Sequence, residues 1–449
     1  MSLKSKLAIL AGKSSYLFLH HVMHGGTSLP GKLTLKIDPD VLKQLAQDYE
    51  IVIVTGTNGK TLTTSLTVKT LQAKYPEILT NPSGSNMKQG IVTAFLTAKK
   101  VNGHKKLAVL ETDEANVPII CDYLTPSVFV LTNLFRDQMD RYGEIYTTYE
   151  KILSGIKKHP NATIIANGDA PIFNSQYLPN PIIYYGCDYQ SDHLQNAPAN
   201  TDGLLCPHCQ KILRFYSRTY SNLGKYICPN CDFKRPKLTH KVTQLCQQTP
   251  QSSTFYLDEQ KITLPIGGTY NIYNALAAYS VARFFDIEPA VIAQAISNND
   301  QKVFGRQEVI NVADKEVTLI LVKNPVGLDQ VLDMIKTDDQ PFSLAVLLNA
   351  NYADGIDTSW IWDGNFEGLD FAKIPVVLTG GERFADITFR LRVAGVEQTT
   401  FLQEPQLEAV VEQLKTMPTK HIYVLATYTA VLQLRKLLAN QGYLKGGMD

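Results

Sequence analysis

Two sets of residues in this 449-residue chain have a spacing that could do chemistry. The first is Val54-Thr55-Gly56-Thr57-Asn58-Gly59-Lys60-Thr61, which follows the apolar run Ile51 to Val54 and precedes a helix-compatible segment, Leu62 to Ala73. A buried strand that enters a glycine turn and then a helix start aims several backbone N–H groups at one point. The helix dipole adds about half a positive charge there. Such a turn cradles nucleotide phosphates: Gly56, Thr57, Asn58 and Gly59 wrap them, Lys60 reaches the terminal groups and Thr61 holds magnesium. The general eight-residue pattern asks for glycine at position 54, where this chain has valine, so the loop is shortened to GTNGKT. The bland alternative is a structural glycine turn.

The second set is Cys206-Pro207-His208-Cys209 and Cys228-Pro229-Asn230-Cys231, with 18 residues between the pairs. Two C-x-x-C turns at that separation complete a tetrahedron of thiolates around one zinc ion with no open position, so the metal is expected to be structural. Segment 200–240 has few large aliphatic residues, and metal binding worth on the order of 10 kcal/mol would supply its folding energy. Disulfides or free thiols are the competing reading. Cys121, Cys187 and Cys246 have no nucleophile-elbow setting, and packing is the role expected of them.

These sites need a scaffold, and the chain is long enough for two or three domains, with 44% hydrophobic residues to fill their cores. Lysines and arginines number 43 against 42 acidic residues, so no electrostatic footprint for nucleic acid exists. No apolar stretch reaches the roughly 20 residues of a spanning helix. The segment Leu7 to Val22 is broken by Lys13 and lacks a small-residue cleavage site. A cytoplasmic protein is expected. That segment is read as a helix packed on the nucleotide-binding domain, with a membrane-surface helix at the inner face as the alternative.

From residue 50 to about 200, strand-like runs alternate with helical ones: Ile51 to Thr55, Leu107 to Leu110, Ser127 to Leu131, Thr163 to Ala166 and Ile182 to Tyr185. That is a parallel α/β layout. Polar clusters at strand ends, Glu111-Thr112-Asp113-Glu114 and Thr132-Asn133, are expected to share one crevice with the phosphate loop. A β segment, Phe255 to Leu264, leads into Gly267-Gly268-Thr269-Tyr270-Asn271-Ile272-Tyr273-Asn274, a second glycine turn opening a helix. A new alternation starts near residue 308, with strands at Thr318 to Val322, Leu344 to Leu348, Val376 to Leu378 and Ile422 to Leu425. The expected division is a nucleotide-binding domain over 1–304, carrying the cysteine insertion at about 200–240, and a Rossmann-like α/β domain over 305–449.

The loop TGTNGKT, the strand end Leu110 to Glu114, the segment Thr132 to Arg141, the start Asn271 to Ala275 and Phe304-Gly305-Arg306 occur in this order. As an ordered set over residues 50–310 they resemble the Mur ligase family, which uses ATP to make an acyl phosphate that an amine then attacks. The resemblance implies a Mur ligase-like ATPase fold with a parallel sheet and places Glu111 as a magnesium ligand. It also puts Asn271 and Asn274 near the adenine and Arg306 near the phosphates, with Lys60 and Glu111 in catalytic roles. Gln138 stands where the family usually has a histidine near a magnesium, and Lys151 is only a loose counterpart of the family's carbamylated lysine.

About fifty residues precede the loop, too few for the domain with which nucleotide-sugar-using members hold UDP. The zinc pairs, Lys323-Asn324-Pro325-Val326-Gly327 and the run Leu347 to Asp363 are similar to the glutaminase-coupled ligases of the family. That implies amidation of the D-glutamate α-carboxylate of lipid II, with ammonia from a class I glutaminase (GatD-like) in a heterodimer. In such complexes the ligase is thought to lend the glutaminase its third catalytic group. Asp357, before Thr358-Ser359-Trp360, is the candidate, with Asp354 second and an Asx-turn as the structural alternative. An amino-acid ligase of the folate polyglutamate synthetase type, or a non-catalytic ATP-binding scaffold, are the other functional readings.

Overall fold

The computed structural model describes residues 2–23, 28–82, 84–99, 106–137, 144–188, 193–197, 201–299, 307–396 and 401–444. The first part of the chain carries twelve described strands. They are β1 (Tyr49–Thr55), β2 (Ile78–Leu79), β3 (Lys106–Glu111), β4 (Val128–Leu131), β5 (Thr163–Asn167), β6 (Ile182–Cys187), β7 (Gln195–Asn196), β8 (Arg214–Tyr220), β9 (Leu223–Ile227), β10 (His240–Gln248), β11 (Ser253–Leu257) and β12 (Gln260–Leu264). Nine of these form one sheet in the order β12-β11-β10-β6-β5-β4-β1-β3-β2. Pairing is parallel from β2 across to β10 and antiparallel in the β10-β11-β12 edge. The central strands β1, β3 and β4 read as continuous apolar runs because helices cover both faces, leaving no wet side to demand alternation.

Helices Lys60–Leu71 and Thr269–Phe284 pack on each other, and their buried faces join the core beneath the sheet. The parallel strands lie within a residue or two of the runs expected from the sequence, and Phe255 to Leu264 is the β11-β12 hairpin. The short sheet β7-β8-β9 belongs to the cysteine insertion. Its own core is small: Leu213, Phe215, Tyr226 and Phe233 around Cys206 and Cys228.

The second sheet holds β13 (Glu308–Val312), β14 (Lys315–Leu321), β15 (Phe342–Leu347), β16 (Val377–Gly380), β17 (Phe401–Glu404) and β18 (His421–Ala426), in the order β13-β14-β18-β15-β16-β17. Only β13 runs antiparallel to its neighbour. Separate apolar clusters cover the two faces. One is built from helices Pro325–Ile335 and Phe384–Val393, the other from Leu407–Thr416 and Tyr428–Asn440. The expected junction, around Gln301 to Gln307, lies outside the described residues except for Gln307, and Phe304, Gly305, Arg306 and Gln138 lie outside them as well.

Candidate active site at the phosphate loop

The phosphate loop leaves the carboxyl end of β1, and its geometry needs both glycines. Gly56 has φ +131°, and a Cβ there would sit 2.3 Å from Thr132 Oγ1. Gly59 has φ +82°, and a Cβ would sit 2.1 Å from Asn274 Oδ1. Only glycine accepts this backbone together with so close a neighbour. The loop is pinned from the next strand end: Asn58 N donates to Asn133 Oδ1 at 2.9 Å, Thr57 N to Asn133 O at 2.9 Å and Asn133 Nδ2 to Asn58 O at 3.0 Å. The expected crevice of strand-end polar groups is therefore present, and Thr61 opens the helix beside it, half-buried.

Lys60 is buried and turned back onto its own loop. Its Nζ donates to Gly56 O at 2.5 Å and to both Glu114 carboxylate oxygens, at 3.2 and 3.4 Å. Burial opposes the charge on Lys60, but Glu114, Asp113, Glu111 and Asp137 together outweigh it, and the ammonium is held above its ordinary range. Burial pushes the Glu114 carboxyl up, against the pull of Lys60. We take Lys60 as charged because four carboxyl groups surround it. Glu111 is buried at the end of β3. Its backbone N–H and C=O are fixed by Asn81, and Asn86 Nδ2 reaches its carboxylate at 3.4 Å. So many carboxyl groups beside an anion cradle would repel a polyphosphate unless a divalent cation lay between them. Hard oxygen donors of this kind suit magnesium, and Glu111 and Thr61 would hold it.

Next to the loop opens a cleft. Asn58, Gly59, Asn271 and Asn274 form one wall, and Tyr270, Tyr220, Ile320 and Val331 give it flat and apolar surface. Asn271 and Asn274 are linked to each other at 3.2 Å, and Asn274 accepts from Thr63 at 3.1 Å. They serve the cleft and the helix together. The residue after Arg306, Gln307, donates to Gly267 O at 2.9 Å and Tyr270 Oη at 2.8 Å, which anchors that stretch of chain beside the cleft.

Three parts of this site were not foreseen. Asn324, which caps helix Pro325–Ile335 through Gly327 N at 2.8 Å, exchanges two amide hydrogen bonds with Asn58, at 3.2 and 3.0 Å. Lys323 pairs with Asp137 at 2.5 Å, and Tyr220 of the cysteine insertion reaches the cleft. The first two join positions far apart in sequence. The run Lys323 to Gly327 carried a family resemblance in the sequence, but nothing in one chain says which loop it meets.

The four insertion cysteines converge. Their sulfurs lie within 4.8 Å of one another, with Cys206 to Cys231 at 3.6 Å and Cys209 to Cys228 at 3.4 Å. A tetrahedral zinc with Zn–S of about 2.3 Å has S–S edges of roughly 3.8 Å, so the donor set fits that ion and leaves no position for substrate. Without a cation the sulfurs compete for protons, so their thiols are driven apart: the Lys211 backbone N–H draws Cys209 down, whereas Cys206 and Cys231 are pushed up. Of the remaining cysteines, Cys121 and Cys187 are buried as expected, whereas Cys246 is exposed on β10 and does not pack. β10 is paired on both sides, yet its second half, Thr243 to Gln247, is exposed throughout.

The two candidate aspartates separate cleanly. Asp354 is buried and fully engaged: it accepts from Thr429 N at 2.7 Å, from the Thr429 hydroxyl and from Asn351 N at 3.1 Å. Asp357 is exposed on the rim of a second cavity, shared with Arg136, Asp137, Lys323 and Trp360. Its carboxylate caps Ser359 N at 2.8 Å, the Asx-turn expected as the structural alternative. That bond, with Arg136 nearby, holds its carboxyl below the ordinary range. One oxygen thus fixes the turn while the side chain stays accessible from outside.

Comparison with known proteins fits this geometry. Residues 54–230 match the Mur ligase middle domain and residues 321–431 the MurT ligase C-terminal domain. Over all 449 residues the chain is 52% identical to the lipid II isoglutaminyl synthase (glutamine-hydrolyzing) subunit MurT of Streptococcus pneumoniae, covering 100% of both chains. The chain belongs to the MurT family of ATP-dependent Mur ligases. The Staphylococcus aureus (strain N315) MurT subunit is 33% identical, with 96% of each chain covered. Among solved structures, a pseudomurein peptide ligase type C from Methanothermus fervidus superposes with TM-score 0.66 at 20% identity, over 88% of this chain and 79% of that one. A Mycobacterium tuberculosis folylpolyglutamate synthase does so with TM-score 0.58 at 14% identity, over 95% and 98%. Both share the fold, and the MurT-type C-terminal match sets the chain apart from the second.

Proposed function

We propose that this chain activates the α-carboxylate of D-glutamate in the lipid II stem peptide with ATP and amidates it, using ammonia from a glutaminase subunit. The γ-phosphoryl group passes to a carboxylate oxygen, giving an acyl phosphate and ADP. Ammonia then attacks the carbonyl carbon, and inorganic phosphate leaves with one former carboxylate oxygen. The observation that carries this reading is Lys60, a buried cation held 3.2 Å from Glu114 within a glycine cradle. It is poised to exchange that carboxylate for a phosphate whose charge grows in the transition state. Magnesium, held by Glu111 and Thr61, would neutralise the β- and γ-phosphate oxygens when bound. Asn271 and Asn274 would orient the base, and Arg306, the residue before Gln307 in sequence, is assigned to the phosphates through the family resemblance.

Ammonia must come from elsewhere. Burial pushes the Cys121 thiol up to about 12, Cys187 is sealed in the core, the insertion thiols are committed to their own cluster, and exposed Cys246 has no histidine hydrogen-bonded to it among the described residues. A glutaminase partner therefore fits, and the MurT relatives are subunits of a glutamine-hydrolysing synthase. Asp357 lies among exposed apolar side chains, Tyr352, Ile356 and Trp362, a composition suited to a protein interface. It would orient the partner's histidine, as a triad's third member does.

The test is isotopic. With lipid II whose D-glutamate carboxylate carries ¹⁸O, ATP and ammonium, the label should appear in inorganic phosphate and the product should be an amide. Phosphate free of label would exclude the acyl phosphate, and a product heavier by an amino-acid residue would assign the chain to peptide ligation instead.

A further inference from the structure

The helix Leu3–Met23 is built inside out for a protein in water. Its buried positions are the small residues Ser5, Ala8 and Gly12. Gly12 lies so close to the next helix, Leu29–Ile37, that a Cβ would stand 2.1 Å from Thr34 Oγ1. Gly31 of that helix meets helix Lys88–Thr97 as tightly, with a Cβ 1.9 Å from Gln89 O. Ser5 donates to Asp38 at 2.6 Å and Gly31 N to Thr93 at 2.9 Å, so the pair is fastened to the nucleotide-binding domain. The large apolar side chains point the other way.

Leu3 is 76% exposed, Leu10 64% and Phe18 62%, with Leu7 exposed between them. At 3.6 residues per turn these four fall within about 80° of arc, opposite the packed face. Leu29 and Leu33 of the second helix are exposed as well. The charge pattern is one-sided. Residues 1–37 contain no aspartate or glutamate, while Lys4, Lys6, Lys13, Lys32 and Lys36 are all exposed. No described helix is long and apolar enough to cross a membrane.

From this we infer that the first two helices form a docking surface for an anionic phospholipid bilayer, lying in its interface. The leucines and Phe18 enter the acyl boundary, and the lysines reach anionic headgroups. A helix with an apolar face, a lysine-bearing flank and no acidic group has the composition of an interfacial anchor. A second protein copy would gain nothing from five lysines facing five lysines, which favours lipid as the occupant. This surface requires neither the phosphate loop nor the amidation reading.

Vesicle co-sedimentation of the full-length chain tests it, using phosphatidylcholine vesicles with or without phosphatidylglycerol and no lipid II, so that binding is read apart from turnover. The chain should pellet with the anionic vesicles and be released by high salt. Leu7→Asp/Leu10→Asp should lose more than about tenfold in partitioning, because it removes the inserted side chains. Lys4→Glu/Lys13→Glu should lose about tenfold on anionic vesicles. Both pairs are exposed, so circular dichroism and ATP hydrolysis in solution should match the parent. The inference is overturned if the parent stays in the supernatant, or if the leucine variant pellets as the parent does. It is equally overturned if light scattering shows a dimer, or co-purification a glutaminase complex, that the leucine variant dissolves.

Discussion

Lys60 has two jobs that its own substitution would confound. It carries positive charge to phosphates, and it neutralises Glu114 in a buried pair. Lys60→Ala should lower ammonia-dependent amidation by at least about 100-fold and also destabilise the fold by about 3 kcal/mol, because Glu114 is left buried alone. Adding Glu114→Gln should restore the melting temperature without restoring turnover. If the double variant recovers activity, the lysine was structural. The two aspartates are separated in the same way. Asp357→Asn should reduce glutamine-driven amidation by about 100-fold or more, while leaving ammonium-driven amidation at the parental rate. Asp354→Asn should instead cost about 1–3 kcal/mol of stability by weakening its bonds to Thr429 and Asn351, with both activities lost in proportion to unfolded protein. Because Asp357's carboxyl is held low, it is charged across neutral and mildly acid pH. Decline of glutamine-driven activity above the ordinary carboxylate range must then come from another group.

The elements join the insertion to the nucleotide cleft more closely than a structural metal site requires. Buried Asp169 accepts from Arg235 at 3.0 Å, Tyr273 at 2.7 Å and Cys187 N at 2.6 Å. Tyr273 meets Thr219 of β8 at 2.7 Å, and Tyr220 beside it lines the cleft. Removing metal with a chelator, or Cys206→Ser, should therefore loosen β8 and weaken ADP binding about tenfold, the worth of one lost hydrogen bond and its packing. Calorimetry of the metal-free protein checks this, and unchanged ADP affinity would leave the insertion a separate module. Much at this scale was readable from the chain. Buried parallel strands announce themselves as unbroken apolar runs, the glycine loop by its place between strand and helix, and the thiols by spacing. What stayed hidden has a common cause. Tyr220 is one aromatic among many until β8 folds against Tyr273. The helix expected over Leu7 to Val22 packs through Ser5, Ala8 and Gly12 rather than through its large side chains, a choice of face that the sequence reading did not make, because close helix approach selects small side chains. Edge strands such as β13 and β17 carry no continuous apolar signature.

At the scale of the whole molecule, polar links among the described residues hold the C-terminal part over the phosphate loop, namely Asn58 with Asn324, Asp137 with Lys323 and Arg136 with Asp363. They put the rim that holds Asp357 and the cleft that holds the loop on either side of Lys323 and Asn324, which line both cavities. Polar links between domains are weak individually and open readily, so closure is set by few groups. Asp137 is the sensitive one, since its buried Oδ1 has no hydrogen-bond partner among the described residues and its Oδ2 depends on Lys323. Lys323→Ala would leave that carboxylate uncompensated, and water could reach it only if the domains parted. The variant should therefore show a larger radius of gyration by small-angle scattering. Its turnover should fall by about 100-fold, the scale of a misplaced reacting group, equally with ammonium and with glutamine. That equality distinguishes it from Asp357→Asn, which acts on the glutamine route alone. Asp137→Asn added to Lys323→Ala removes the stranded charge and should return the radius toward the parental value. Should Lys323→Ala leave both radius and turnover unchanged, closure does not depend on this pair, and the shared wall of the two cavities has no part in coupling them.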